Sequence, residues 1–106
     1  MEEIVLLETT KEIEKTRRVF KMTFAGAEFD MVIFDEKTNS CECYEIKHSN
    51  QIVKRQTQYL TDEECLKETE RRFGPITKRY VIYRGDDAVL ENGIVYRNVD
   101  GYLKAL

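Results

Sequence analysis

No apolar run in the 106 residues approaches the ~20 that a membrane-spanning helix needs. The chain opens on Glu2 and Glu3, not on the basic-then-apolar order of a secretory signal. Cysteine is scarce and odd in number, at three. Cys41 and Cys43 stand two apart on what reads as one strand, a poor geometry for a disulfide, and no second Cys/His pair completes a zinc site. Reduced thiols serving as small core residues, in a cytoplasmic protein, are therefore expected. A Gly-rich phosphate loop is missing, which excludes a nucleotide-binding motif from this chain. Repeats and low-complexity linkers are missing too. There is no excess of positive charge: the formal net charge is −3, which does not advertise a nucleic-acid binder. Basic residues cluster only locally, as Arg17-Arg18-Lys21, Lys54-Arg55, Arg71-Arg72 and Lys78-Arg79. These read first as solvated faces, although a phosphodiester substrate could use one of them. With 42% hydrophobic residues, residues 1–106 form one domain able to bury roughly 60–70% of its unfolded surface.

What is present centres on EFDMVIFDEKTNSCECYEIK, Glu28 to Lys47. Glu28 to Phe34 reads as a strand, Asp35 to Ser40 as a polar turn, and Cys41 to His48 as a second strand. Alternation puts Asp30, Val32 and Phe34 on one face of the first strand. It puts Cys41, Cys43, Glu45 and Lys47 on one face of the second. Opposed residues of an antiparallel pair share a face, so the sets meet only if paired position numbers add to an odd total. A turn centred near Lys37 and Thr38 closes the hairpin that way. Asp30 and Glu45 are then expected roughly 3–6 Å apart, within bridging reach of one cation, with Lys47 beside them.

Such convergence is costly on an otherwise apolar face. Two nearby carboxylates raise each other's pKa, and a divalent cation relieves both repulsion and desolvation. Oxygen ligands select a hard ion, Mg²⁺ or Mn²⁺. A lysine beside them can orient a water or neutralise charge on a phosphate. Taken alone, the same residues also read as an interstrand ion pair. His48, the single histidine, points away from Lys47 by alternation and reads as a turn or opposite-face residue.

Asp30 followed by Glu45-Ile46-Lys47, with a Gln-rich segment behind, resembles the PD-(D/E)xK nuclease superfamily. The strings GAEFDMVIFD, YEIKHS and YVIYRG resemble more closely the C-terminal nuclease-like domain found behind AAA-type ATPase domains in prokaryotes. The likeness covers nearly the whole chain, although the proline that names the motif is absent. It implies a catalytic set of Asp30, Glu45 and Lys47. Metal would be held by Asp30, Glu45 and the Ile46 carbonyl, and supplemented by a glutamate on the first helix, Glu2 or next Glu3. A glutamine on the following helix, best matched by Gln56, joins the site in several branches. The implied activity is metal-dependent hydrolysis of DNA phosphodiesters. The alternative is a silent nuclease-fold module that binds or regulates the ATPase. DNA, the ATPase domain of the same longer chain and a homo-oligomer are the partners this leaves open.

Around the central hairpin, residues 2–15 favour a helix, with a strand left open. Their uncapped start is read as the beginning of a fragment of a longer ATPase. Arg18 to Phe24 alternates as a strand and Ala25-Gly26-Ala27 turns it into the hairpin. Ser49 or Asn50 would cap a helix from Gln51. TDEE at Thr61–Glu64 has a capping-box pattern, which implies a break near Leu60 or two consecutive helices ending at Gly74-Pro75. Lys78 to Arg84 is a further strand. Asn92-Gly93 signals a hairpin, and Asp100 would cap a last helix, Gly101 to Leu106. The expected fold is α/β: a restriction-endonuclease-like mixed sheet, an antiparallel meander plus further strands, flanked by helices.

Overall fold

The structure, a computed structural model, describes residues 1–24 and 27–106. The expected turn at Ala25 and Gly26 lies outside the described residues. Among the described residues the order is α1 (Glu2–Glu12), β1 (Arg17–Phe24), β2 (Ala27–Asp35), β3 (Ser40–Ile46), a 3-10 turn (Lys54–Thr57), α2 (Glu63–Phe73), β4 (Ile76–Tyr83), β5 (Ala88–Val89), β6 (Val95–Asn98) and α3 (Val99–Ala105). The strands form one mixed six-stranded sheet in the order β1-β2-β3-β4-β6-β5. β1, β2 and β3 make the antiparallel meander; β4 runs parallel to β3 and β6 parallel to β4. The helical stretch between β3 and β4 is the crossover that a parallel neighbour requires.

Two cores sandwich the sheet. Val32, Cys43, Val81 and Tyr96 face α2 and Leu60, while Met31, Tyr44, Ile46 and Ile82 face Val5 of α1 and Val99 and Tyr102 of α3. A strand covered on both faces has no polar side, which is why β4 carries Val81, Ile82 and Tyr83 buried in succession. The three thiols are free and buried. No helix among the described residues is long and apolar enough to cross a membrane.

Three local expectations shift. The segment after Gln51 is not an α-helix: Ser49 Oγ accepts from Gln51 N at 3.0 Å, and only a 3-10 turn forms before Thr57. Leu60 follows at full burial, so the chain is tied down by packing, not by helical propagation. α2 is capped by Asp62, whose Oδ1 accepts from Glu64 N at 3.0 Å and Cys65 N at 3.1 Å, one residue past the Thr61 of the sequence pattern. α3 is capped by Asn98, with Asp100 in its first turn. The hairpin at Asn92-Gly93 forms, with Gly93 at φ +87°, a left-handed conformation that favours glycine.

Candidate active site

The hairpin phase brings the carboxylates together. Met31 pairs with Tyr44 and Val32 with Cys43, an odd total. The register of β1 on β2 then slips. Phe20 pairs with Val32 but Met22 with Phe29, so Lys21 alone faces both Asp30 and Met31. This bulge corrects the simple alternation: Phe29 and Val32 join the same core, although their parity differs. Bulges re-aim side chains, and this one lies at Asp30, just beyond the last β2–β3 pairing of Met31 with Tyr44. There Asp30 Oδ2 accepts from the backbone N–H of Ile46 at 2.8 Å, replacing a strand carbonyl.

Asp30 and Glu45 are 6% and 3% exposed, a severe environment for two carboxyls. Burial pushes the Asp30 carboxyl above its ordinary value; the Ile46 amide opposes this, and the charge of Glu2 adds to it. Burial, then the neighbouring Asp30 charge, pushes Glu45 up to about 8, against the pull of Lys47. Lys47 Nζ lies 3.1 Å from Glu45 Oε2, with its own side chain 37% exposed. Glu45 Oε1 is buried without a hydrogen-bond partner. The carboxyl beside it, that of Asp30, offers only acceptors while both groups are ionised. One shared proton turns that contact into a hydrogen bond. A cation at the same place would satisfy the orphan oxygen equally.

The remaining expected site residues are spread around this pair. Glu2 flanks it close enough to raise Asp30, but its Oε1 is engaged by Lys21 Nζ at 3.1 Å. Lys21 also lies 3.6 Å from Glu28 Oε1. Glu3 is exposed on α1, and His48 is exposed beyond β3. Ile46 contributes its amide to Asp30 and its side chain to the core under α1 and α3. Gln56 lies on the same sheet face but is held elsewhere. Its Oε1 accepts from Val53 N and from the Tyr96 hydroxyl, both at 2.9 Å, and its Nε2 donates to Gln51 O at 3.1 Å. Lys21 and Glu28 were not singled out as site residues from sequence; only the bulge brings Lys21 opposite Asp30.

Among the described residues no group of three or more His, Cys, Asp or Glu side chains is disposed to hold a metal ion. The donor set at Asp30 and Glu45 is two carboxylates. This suits a cation that keeps most of its waters, as Mg²⁺ does when one or two carboxylates and a substrate phosphate bind it. The orphan Glu45 oxygen is the feature that fits such a guest. No protein-family model, curated protein or solved structure matches the chain.

Proposed function

We propose that this chain is a metal-dependent phosphodiesterase domain acting on DNA, with the restriction-endonuclease-like core that its Asp30…Glu45-Ile46-Lys47 pattern resembles. The observation that carries the reading is the buried, unpartnered Glu45 Oε1 beside the Asp30 carboxyl, with Lys47 on the other Glu45 oxygen. The Lys47 contact satisfies only one Glu45 oxygen; the other needs either a proton shared with Asp30 or a cation, because an unsatisfied buried polar atom costs about 1–3 kcal/mol.

Asp30 and Glu45, once deprotonated, would hold Mg²⁺ or Mn²⁺, with the Ile46 carbonyl as the further donor the resemblance implies. When bound, the ion would polarise the phosphate and lower the pKa of a water. The Ile46 amide fixes the Asp30 carboxylate in one orientation. Lys47, more exposed than Glu45, reaches the mouth of the site. There its ammonium can orient the attacking water or neutralise the developing phosphate charge.

The second reading is a silent nuclease-fold module serving an ATPase. It is favoured by one observation: Lys21 and Lys47 already pair with Glu2, Glu28 and Glu45, so the acidic cluster is partly neutralised by the chain itself. A cleavage assay on DNA separates the two. Catalysis requires cleavage with Mg²⁺ or Mn²⁺, none with Ca²⁺, and loss in Lys47→Ala with the fold intact. Absence of cleavage with every metal, or cleavage that survives Lys47→Ala, sinks the catalytic assignment.

A further inference from the structure

A cavity of about 850 Å³ opens beside the 3-10 turn, on the same sheet face as Glu45. Ile52 and Leu90 give it an apolar wall, Lys54 and Arg55 stand at its edge, and Gln58 and Asn92 contribute amides. Among the described residues no carboxylate lines it, in a chain whose formal net charge is −3. Neither Lys54 nor Arg55 enters an ion pair among the described residues. Arg79, just behind, donates to the carbonyls of Leu60 and Asn92, so its charge is also unmatched by an acid.

Ile52 is 46% exposed, yet it is not loosely held. Gln56 bonds the backbone of Gln51 and Val53 on either side of it. The buried amide that the resemblance implies for the catalytic set therefore fixes the shape of this neighbouring cavity. The size lies within the range of small-ligand sites. An apolar wall with adjacent unpaired cations and side-chain amides asks for an anionic ligand with a flat apolar body and a polar edge.

We infer that this cavity receives one unpaired nucleotide of a single-stranded nucleic acid. Its base lies on Ile52 and Leu90, its edge meets Gln58 and Asn92, and its phosphate meets Lys54 and Arg55. A paired, stacked base cannot present its face to such a recess, so a duplex is the poorer fit. The sheet register supplies the link to the carboxylates. Glu45 pairs with Val81 and Val81 with Tyr96, which lines the cavity. The backbones of Glu45 and Tyr96 are thus two strand spacings apart, roughly 10 Å, a span that a few nucleotides cover. The choice of nucleic acid among anions rests on the proposed function; the cavity's preference for an anion does not.

The test is fluorescence anisotropy of a labelled single-stranded DNA of about eight nucleotides, a length within single-strand site sizes, in EDTA so that neither metal nor cleavage enters. The wild-type chain is compared with Lys54→Ala/Arg55→Ala and Ile52→Ser, each checked for an unchanged thermal melt. The double variant is expected to bind at least about tenfold more weakly at low salt and to lose about 0.7 from the log–log salt slope, the share of one single-strand phosphate contact. Ile52→Ser weakens binding without changing the slope. The inference is overturned if the wild type does not bind. It is overturned equally if the double variant binds like wild type, or if a duplex of the same sequence or a polyglutamate peptide binds as tightly as the single strand. Binding here without cleavage anywhere removes the catalytic reading and leaves the cavity assignment standing.

Discussion

The backbone N–H of Ile46 donates to Asp30 Oδ2 at 2.8 Å, so the first acid of the site is also a structural member of the hairpin. Removing the side chain and removing only its charge therefore have different consequences. Asp30→Ala leaves a buried amide unpaired, at a cost of about 1–3 kcal/mol, against some relief of repulsion with Glu45. Asp30→Asn keeps an acceptor for Ile46 and abolishes the repulsion. Urea unfolding at about pH 8, near the raised Glu45 value, should rank Asp30→Asn as the more stable of the two and no less stable than wild type. The reverse order would mean that the Ile46 contact contributes nothing.

Glu45 makes stability depend on pH in the opposite sense to a salt-bridged acid. Burial first, then the Asp30 charge, raises it from 4.5 to about 8, so the folded state holds its proton more tightly than the unfolded chain. The stabilisation is present in full below the unfolded value and is lost as pH rises through the folded one. Unfolding free energy should therefore fall between about pH 4.5 and about pH 8, by up to about 5 kcal/mol, and flatten above. Glu45→Gln should flatten the curve in this window. A wild-type profile that rises across the same range contradicts the raised value.

Gln56 offers a prediction independent of catalysis. Its carboxamide satisfies Val53 N, Gln51 O and the Tyr96 hydroxyl together. Gln56→Ala strands three polar groups and should cost about 2–4 kcal/mol, whereas Tyr96→Phe removes one bond and should cost about 1 kcal/mol. Equal, small losses in thermal denaturation would show that the network is not cooperative.

The central hairpin was legible because the two-residue period, with a turn near Lys37 and Thr38, admits only one register that joins the acids. The bulge at Asp30 was not. In EFDMVIF both phases of the strand carry apolar side chains, so slipping the phase between Phe29 and Val32 leaves no hydrophobic residue in water and no trace in the pattern. The absence of an α-helix after Gln51 was hidden for a related reason. Ile52 and Val53 resemble the start of an amphipathic stripe, yet both are exposed, and the segment is organised by the Gln56 side chain instead of by i→i−4 bonds. The helix ends were misplaced by one or two residues because Thr61 and Asp62, like Asn98 and Asp100, are all competent caps.

The most direct measurement is calorimetric titration of the chain with Mg²⁺ and Mn²⁺ at about pH 6.5 and about pH 8.5, in two buffers of different ionisation enthalpy, alongside Glu45→Gln. If Asp30 and Glu45 form a cation site, binding is tighter at the higher pH and releases close to one proton at the lower, because the ion displaces the proton held on Glu45. Glu45→Gln then binds at least about tenfold more weakly and releases none. Absence of binding at both pH values, or binding that Glu45→Gln leaves unchanged, contradicts the account.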